Sequence, residues 1–196
     1  MYEETVDSFF FNHTIELDWG TTLAPQLIFD PENLSSWQQL AIGQGPIKTC
    51  PLAIALNIGA VLHPDGAMLT PYLVQRITTE SGKVTYENSG VEVLSVPLAD
   101  AGVREALASM LEATAEGYGL RFPGARVLAK TGTATIQGSD KNNAFLSFSV
   151  ETKDGKHYAG CFSREKVSGT SSQLKPIAKK PVSYTHLRAH ETLANL

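Results

Sequence analysis

The segment from Leu52 to Leu62 constrains the fold of this 196-residue chain more than any other part of it. Thr49 and Pro51 predict the start of a helix, because proline is tolerated in the first helical turn, where its missing N–H would have no intrahelical partner. From Leu52 onward the predicted helix is apolar on every face. Such a helix is stable only inside a sizeable fold, and this one is too short to span a bilayer. The fold must therefore cover this helix on several sides.

Composition excludes several classes of function. A formal charge of −4, with no basic cluster interleaved with aromatic residues, argues against a nucleic acid as partner. No stretch approaches the roughly 18 apolar residues of a transmembrane helix, and acidic residues stand where a signal peptide carries positive charge. Two cysteines, Cys50 and Cys161, define neither a disulfide framework nor a metal site. We therefore expect no cofactor and no metal.

The stretch from Val127 to Ala134 carries the residues with the clearest chemical meaning. Its first residues are apolar, which is typical of a buried strand, and Lys130-Thr131-Gly132-Thr133 follow. Strand alternation predicts Lys130 and Gly132 on one side and the two threonines on the other. Because glycine has no side chain, the backbone of a ligand can lie close against the strand there. The sequence therefore predicts an anion-binding strand edge.

Turn signals and periodicity predict the elements that precede this strand. Gly43 and Gly45 indicate a tight irregular turn before the apolar helix, and the pair Ser81-Gly82 indicates a hairpin turn. A second helix is predicted from about Leu98 to Ala115. One side of that helix is expected to face the core, and it carries Val103, Leu107, Met110, Leu111 and Thr114.

Two further strands are predicted after the Lys-Thr-Gly strand. They cover 144–150 and 157–163, and the pair Asp154-Gly155 between them is a strong hairpin signal. The run from Gly169 to Ser172 then predicts the capped start of a terminal helix.

This order of elements resembles that of penicillin-binding protein transpeptidase domains, the penicillin-recognising family of serine acyl-enzymes. Gly43-Gln44-Gly45, followed by Cys50-Pro51-Leu52 and an alanine-rich helix, is similar to the segment before that family's third motif, and the Lys-Thr-Gly strand is similar to the motif itself. The resemblance covers roughly residues 43–180. It implies an α+β fold, the C-terminal part of a β-lactamase/transpeptidase-like fold, in which helices pack on the faces of an antiparallel sheet.

The resemblance also implies an activity and site residues. The family transfers an acyl group from a D-Ala-D-Ala peptide stem, or from a β-lactam, to a serine hydroxyl. Lys130 would supply positive potential near the substrate carboxylate, which the hydroxyl of Thr133 would bind. The backbone N–H of Thr133 would form half of the oxyanion hole, and Thr131 and Gly132 would complete the substrate-binding set.

The implied partners are peptidoglycan peptide stems and β-lactam antibiotics. The full-length protein would be membrane-anchored on the extracytoplasmic face of the bacterial cell membrane, where peptidoglycan is cross-linked. These statements follow from the resemblance alone.

No nucleophile of the expected kind is found in the chain. Ser-x-Asn does not occur, and Ser-x-x-Lys occurs only at Ser163 and Ser172, which follow the third motif, where the family does not place its nucleophile. Tyr86-Glu87-Asn88 is similar to a second motif but lies in the predicted hairpin. We therefore expect residues 1–180 to be the C-terminal part of a transpeptidase domain that is inactive alone. Residues 181–196 resemble translated adapter sequence and are expected to be a non-native tail.

Alternatives remain open at this point. The chain is also compatible with a fragment of a β-lactam sensor or of a class D-like β-lactamase. A non-catalytic α+β domain with an incidental Lys-Thr-Gly is a further possibility. Glu16 and Asp18 would share a strand face as an acid/base pair, but a solvated loop is the favoured interpretation.

Overall fold

A computed structural model describes residues 2–20, 22–28, 30 and 32–180. The helices are α1 (Tyr2–Ser8), α2 (Leu34–Ala41), α3 (Pro51–Leu62) and α4 (Ala101–Gly117). The strands are β1 (Ile15–Glu16), β2 (Thr22–Leu23), β3 (Gln26–Leu27), β4 (Ile47–Lys48), β5 (Met68–Leu69), β6 (Arg76–Thr78), β7 (Val84–Glu87), β8 (Val93–Ser95), β9 (Ala125–Thr135), β10 (Asn142–Thr152) and β11 (His157–Val167). Short 3-10 turns occur at Asp18–Gly20 and Ser171–Leu174, and residues 175–180 are helical. The expected non-native tail at 181–196 lies outside the described residues.

The largest sheet is a three-stranded antiparallel meander with β10 in the centre and β9 and β11 on either side. The turn between β10 and β11 closes with a hydrogen bond from the N–H of Thr152 to the carbonyl of Lys156. Gly155 has a φ of +76° there, a conformation that glycine adopts without strain. The predicted Asp-Gly hairpin is therefore confirmed, although both strands are longer than predicted.

Apolar side chains cover both faces of this sheet. One face packs against the end of α4 and the terminal helix, and its core includes Val127, Leu146, Val150, Leu174 and Ala178. The opposite face packs against α3. An antiparallel sheet with helices on both faces confirms the expected α+β fold.

The predicted apolar helix is α3, which lies directly on the sheet. A methyl group placed on Gly59 would lie 3.3 Å from the Cβ atom of Ala159 on β11, so the two backbones approach closely. Ile58, Val61 and Leu62 are buried. Leu52 and Ile54, in the first turn, are only half-buried, so the prediction that the fold covers this helix is confirmed for its second half.

The predicted inward side of α4 is partly wrong. Val103 and Met110 are 59% and 69% exposed, whereas Ala108 and Ala115 are each 1% exposed. Small side chains let the helix approach the sheet closely, which turns the larger apolar residues outward. Periodicity alone does not distinguish an alanine stripe from the stripe of larger residues beside it.

The start of α4 is fixed by charge and capping. The carboxylate of Asp100 accepts a hydrogen bond from the N–H of Val103 at 2.8 Å, which is a standard N-cap. Arg104 donates from its guanidinium to the carbonyls of Leu98 and Pro64 at 2.7 and 2.6 Å.

Within the described ranges, no helix combines the length and apolarity that a membrane crossing requires.

Candidate active site

A cleft of about 810 Å³ lies where β9 and β10 meet the beginning of α3. Its floor consists of alternate residues of the two strands, because cross-strand neighbours in register share a face of the sheet. These residues are Lys130, Gly132 and Ala134 of β9 with Asn143, Phe145 and Ser147 of β10. The walls consist of residues 41–43, 47–49 and Ile54. The Lys-Thr-Gly motif therefore lies in a concave site.

Lys130 presents its amine at this floor. The side chain is exposed, and Nζ donates a hydrogen bond to the backbone carbonyl of Thr131 at 2.7 Å. The carbonyl of Lys130 accepts a hydrogen bond from Oγ of Ser147 at 3.3 Å, which holds β9 to β10 at this point. No carboxylate of the described residues lies within ion-pair distance of Lys130. Its positive charge is therefore available to an anionic ligand.

Thr131 and Thr133 use their hydroxyls on the other side of β9, as alternation predicts. Oγ1 of Thr131 lies 2.8 Å from the hydroxyl of Tyr118 at the end of α4. Oγ1 of Thr133 donates to Oγ of Ser171 at 3.0 Å and accepts from the N–H of Ser171 at 3.0 Å. A substrate carboxylate can accept a hydrogen bond from the Thr133 hydroxyl only if that hydroxyl turns away from Ser171.

Gly132 leaves the strand open toward the cleft. No heavy atom lies within 4 Å of the position that a Cβ atom would occupy there. β9 is also an outer strand of the described sheet, so alternate backbone N–H and C=O groups along its outer edge have no strand partner. An extended peptide could bind there by strand addition.

The two Ser-x-x-Lys sequences do not form catalytic pairs in the described structure. Ser163 lies on β11 opposite Phe145, and a helical turn, which would bring a lysine three residues later to its side, is absent there. Nζ of Lys175 lies 4.2 Å above the ring of Tyr118, and no hydrogen bond joins it to Ser172. The segment around Glu87 lies in the β6–β7 hairpin, as predicted.

Asp18 has a structural role that the sequence did not reveal. Its Oδ2 atom accepts hydrogen bonds from the N–H groups of Leu73 and Val74 at 3.0 and 3.1 Å. Glu16 is exposed on β1. Glu16 is thus solvent-exposed, as expected, but it lies on a short strand and not in a loop. Asp18 joins segments more than 50 residues apart, for which no local signal exists.

An ion-pair network fixes β9 against α4. Arg126 donates to Glu105 at 2.7 Å and to Glu112 at 3.0 Å. The hydrogen bond and charge of Arg126 hold the pKa of the Glu105 carboxyl below its ordinary value. Arg126 lies four residues before Lys130 on β9, so these ion pairs help to fix the strand that carries Lys130.

Comparison with protein families identifies the fold that contains this cleft. A family model described as the penicillin binding protein transpeptidase domain matches residues 19–182. The chain belongs to this family. A comparison with curated proteins gives no match.

Solved structures of several bacterial proteins share the fold. The D,D-transpeptidase domain of a peptidoglycan glycosyltransferase from Eggerthella lenta matches with 20% identity and a TM-score of 0.72, over 94% of this chain and 48% of that one. Penicillin-binding protein 2B from Streptococcus pneumoniae matches with 12% identity and a TM-score of 0.69, over 92% and 31%. A peptidoglycan synthetase from Bifidobacterium adolescentis matches with 18% identity and a TM-score of 0.69, over 97% and 36%. The chain thus spans about half, or less, of the length of these solved structures.

Proposed function

We propose that this chain carries the Lys-Thr-Gly half of a D,D-transpeptidase site that cross-links peptidoglycan. The observation that supports this function is the uncompensated Lys130 beside the open Gly132, on an outer strand that lines a cleft of about 810 Å³. A peptide that ends in a carboxylate matches these features, because its backbone can pair with the strand while its charge lies near the lysine.

Each motif residue has a proposed role. Lys130 attracts the carboxylate of a D-Ala-D-Ala stem or of a β-lactam and lowers the energy of the developing negative charge. The N–H of Thr133 donates to the oxyanion of the tetrahedral intermediate, a type of contact that commonly contributes several kcal/mol. Thr131, Gly132 and Thr133 together form the substrate-binding edge.

The nucleophilic serine belongs, in this proposal, to a segment outside these 196 residues. Residues 1–180 are then the C-terminal part of a transpeptidase domain, and residues 181–196 are a non-native tail. The full-length protein would act at the extracytoplasmic face of the membrane and would be acylated by β-lactams. A β-lactam sensor or a class D-like β-lactamase would present the same half-site, and no feature of the described structure favours either.

Ligand titration tests this assignment. We expect N-acetyl-D-Ala-D-Ala to shift the NMR signals of residues 130–134. Lys130→Met should weaken binding roughly tenfold, which is the loss expected for one charge-assisted hydrogen bond. Lys83→Met, on the exposed β6–β7 turn, is the matched control and should have no effect. Absence of shifts at 130–134 would contradict the proposal.

A second measurement tests the absence of a nucleophile. The chain should take no covalent label from a fluorescent penicillin, because neither Ser163 nor Ser172 has a lysine placed to activate it. Labelling of either serine, located by mass spectrometry, would overturn the half-site assignment.

A further inference from the structure

The charged residues that line the cleft are both lysines. Lys130 belongs to the floor, and Lys48 belongs to the wall formed by β4 and the residues that lead into α3. The remaining lining residues are uncharged, and no carboxylate is among them. Neither lysine forms an ion pair with any described residue. The cleft therefore carries one positive charge on its floor and one on its wall, with no carboxylate among its lining residues.

The backbone around Lys48 holds this second charge in place. Lys48 pairs with Gln26 of β3 in antiparallel register, and Ile47 pairs with Leu27, which is buried. Pro46 precedes this short strand, and α3 begins at Pro51 three residues after Lys48, so the backbone freedom is reduced on both sides. The side chain of Lys48 is thus exposed, while the backbone that carries it is held in place.

The physical consequence is an electrostatic field of one sign. Charges of one sign in a concave site reinforce each other and attract oppositely charged ligands. The N-cap residue of α3, Cys50, makes no side-chain hydrogen bond to the helix, so the partial positive charge of the first turn is not offset by a capping side chain. A ligand with one carboxylate would compensate Lys130 and leave Lys48 unpaired.

We propose that Lys48 is a second carboxylate-binding residue and that the cleft takes a peptide with two carboxylates. The terminal carboxylate binds at Lys130, and an acidic side chain earlier in the peptide binds at Lys48. This inference rests on the proposed function, since it assumes that a peptide lies along β9. A volume of about 810 Å³ is large enough for a short peptide.

A pair of isosteric peptides tests the inference. N-acetyl-Glu-D-Ala-D-Ala and N-acetyl-Gln-D-Ala-D-Ala differ by one charge and by almost nothing in shape. The chain should bind the glutamate peptide roughly fivefold more tightly than the glutamine peptide, the upper end for an exposed ion pair. The ratio of the two Kd values should fall as salt is added, because salt screens exposed charges.

Variants assign the effect to Lys48. Lys48→Met should bring the ratio of Kd values to about one. It should weaken the glutamine peptide much less than the glutamate peptide, because the glutamine peptide has no side-chain carboxylate for Lys48 to bind, and its continued binding shows that the site remains folded. Lys48→Arg should retain the preference because it retains the charge. Lys83→Met should not alter the ratio of Kd values. Lys130→Met should raise the Kd values of both peptides by the same factor.

The outcomes separate this inference from the proposed function. If both peptides bind equally to the unaltered chain, the proposed function stands and Lys48 has no specificity role. If the glutamate preference persists in Lys48→Met, the inference is overturned. If inorganic phosphate competes with both peptides equally well, the two lysines attract anions in general and the peptide-specific role is wrong. If neither peptide binds, both proposals fail.

Discussion

Thr133 and Ser171 are joined by two reciprocal hydrogen bonds. The hydroxyl of Thr133 donates to Oγ of Ser171, and the N–H of Ser171 donates back to the same Thr133 oxygen, both at 3.0 Å. Ser171 is buried and begins the turn that leads into the terminal helix. The last residue of the Lys-Thr-Gly-Thr motif is therefore fixed by a helix that follows 38 residues later.

Substitution of Thr133 should lower the free energy of unfolding more than substitution of Ser171 does. Ser171→Ala removes one hydrogen bond and should lower the free energy of unfolding by about 1 kcal/mol. Thr133→Val leaves both the N–H and the hydroxyl of Ser171 unpaired and should lower it by about 2 kcal/mol. Urea unfolding measures both values. Ser172→Ala, at an exposed neighbour, is the control, and an equal loss there would contradict the expectation.

Gly66 should tolerate no larger residue. Its φ is +69°, and a Cβ atom there would lie 1.9 Å from the carbonyl oxygen of Leu98, a backbone atom that cannot rotate away. Gly138 has a similar φ of +75° and open space around it. We expect Gly138→Ala to cost about 1–2 kcal/mol, from backbone strain alone.

Gly66→Ala should cost several kcal/mol more than Gly138→Ala, because the steric clash adds to the strain. Thermal unfolding followed by circular dichroism compares the two variants directly. Equal melting temperatures would contradict this expectation, because they would show that the backbone of Leu98 moves away from residue 66 at little cost in free energy.

The stability of the chain should decrease in acid through Glu105. Because Arg126 lowers the pKa of Glu105 in the folded chain, the folded state binds this proton less readily than the unfolded state, whose carboxyl has an ordinary pKa of 4.5. The stabilisation is therefore present above pH 4.5 and is lost as the pH falls through the lower pKa of the folded chain.

Arg126→Met should reduce this acid dependence, which unfolding curves recorded between pH 3 and 7 would reveal as a flatter profile. Arg164→Met is a suitable control and should leave the acid dependence unchanged. The guanidinium of Arg164 donates to the amide oxygen of Gln173, a group that does not titrate in this range. An unchanged profile in Arg126→Met would mean that other carboxylates dominate acid unfolding.

Cys161 should react slowly with alkylating reagents. Burial raises the pKa of its thiol from 9.0 to about 11, and the reactive species is the thiolate. In a Cys50→Ser variant at pH 8, iodoacetamide should label Cys161 far more slowly in the native chain than in urea. Because the folded thiol binds its proton more tightly, the free energy of unfolding should also fall as the pH rises from 9 toward 11.

Local chemistry explains which parts of the fold could be predicted. The Asp154-Gly155 turn, the start of α3 at Pro51 and the two sides of β9 all depend on residues that are neighbours in sequence. Each signal is a property of one turn, one helix end or one strand. These elements were therefore identified correctly, and the family resemblance that they carried is confirmed.

Relationships across the fold could not be predicted. The hydrogen bonds of Asp18 and the pairing of Thr133 with Ser171 depend on distant segments that meet only after folding. The inward side of α4 was misjudged because alanine, the residue that permits close packing, is weakly apolar by itself. Lys48 became significant only because the fold brings it to the same cleft as Lys130.

The position of α3 on the sheet has a consequence for the nascent chain. α3 ends at Leu62, whereas the strands on which it packs, β10 and β11, begin only at Asn142 and His157, so the helix leaves the ribosome well before its packing surface exists. The meander from β9 to β11 joins neighbours in sequence and should form quickly once it is synthesised. Until then the apolar surface of α3 is exposed, and this interval is when a chaperone that binds apolar segments would protect the chain from aggregation.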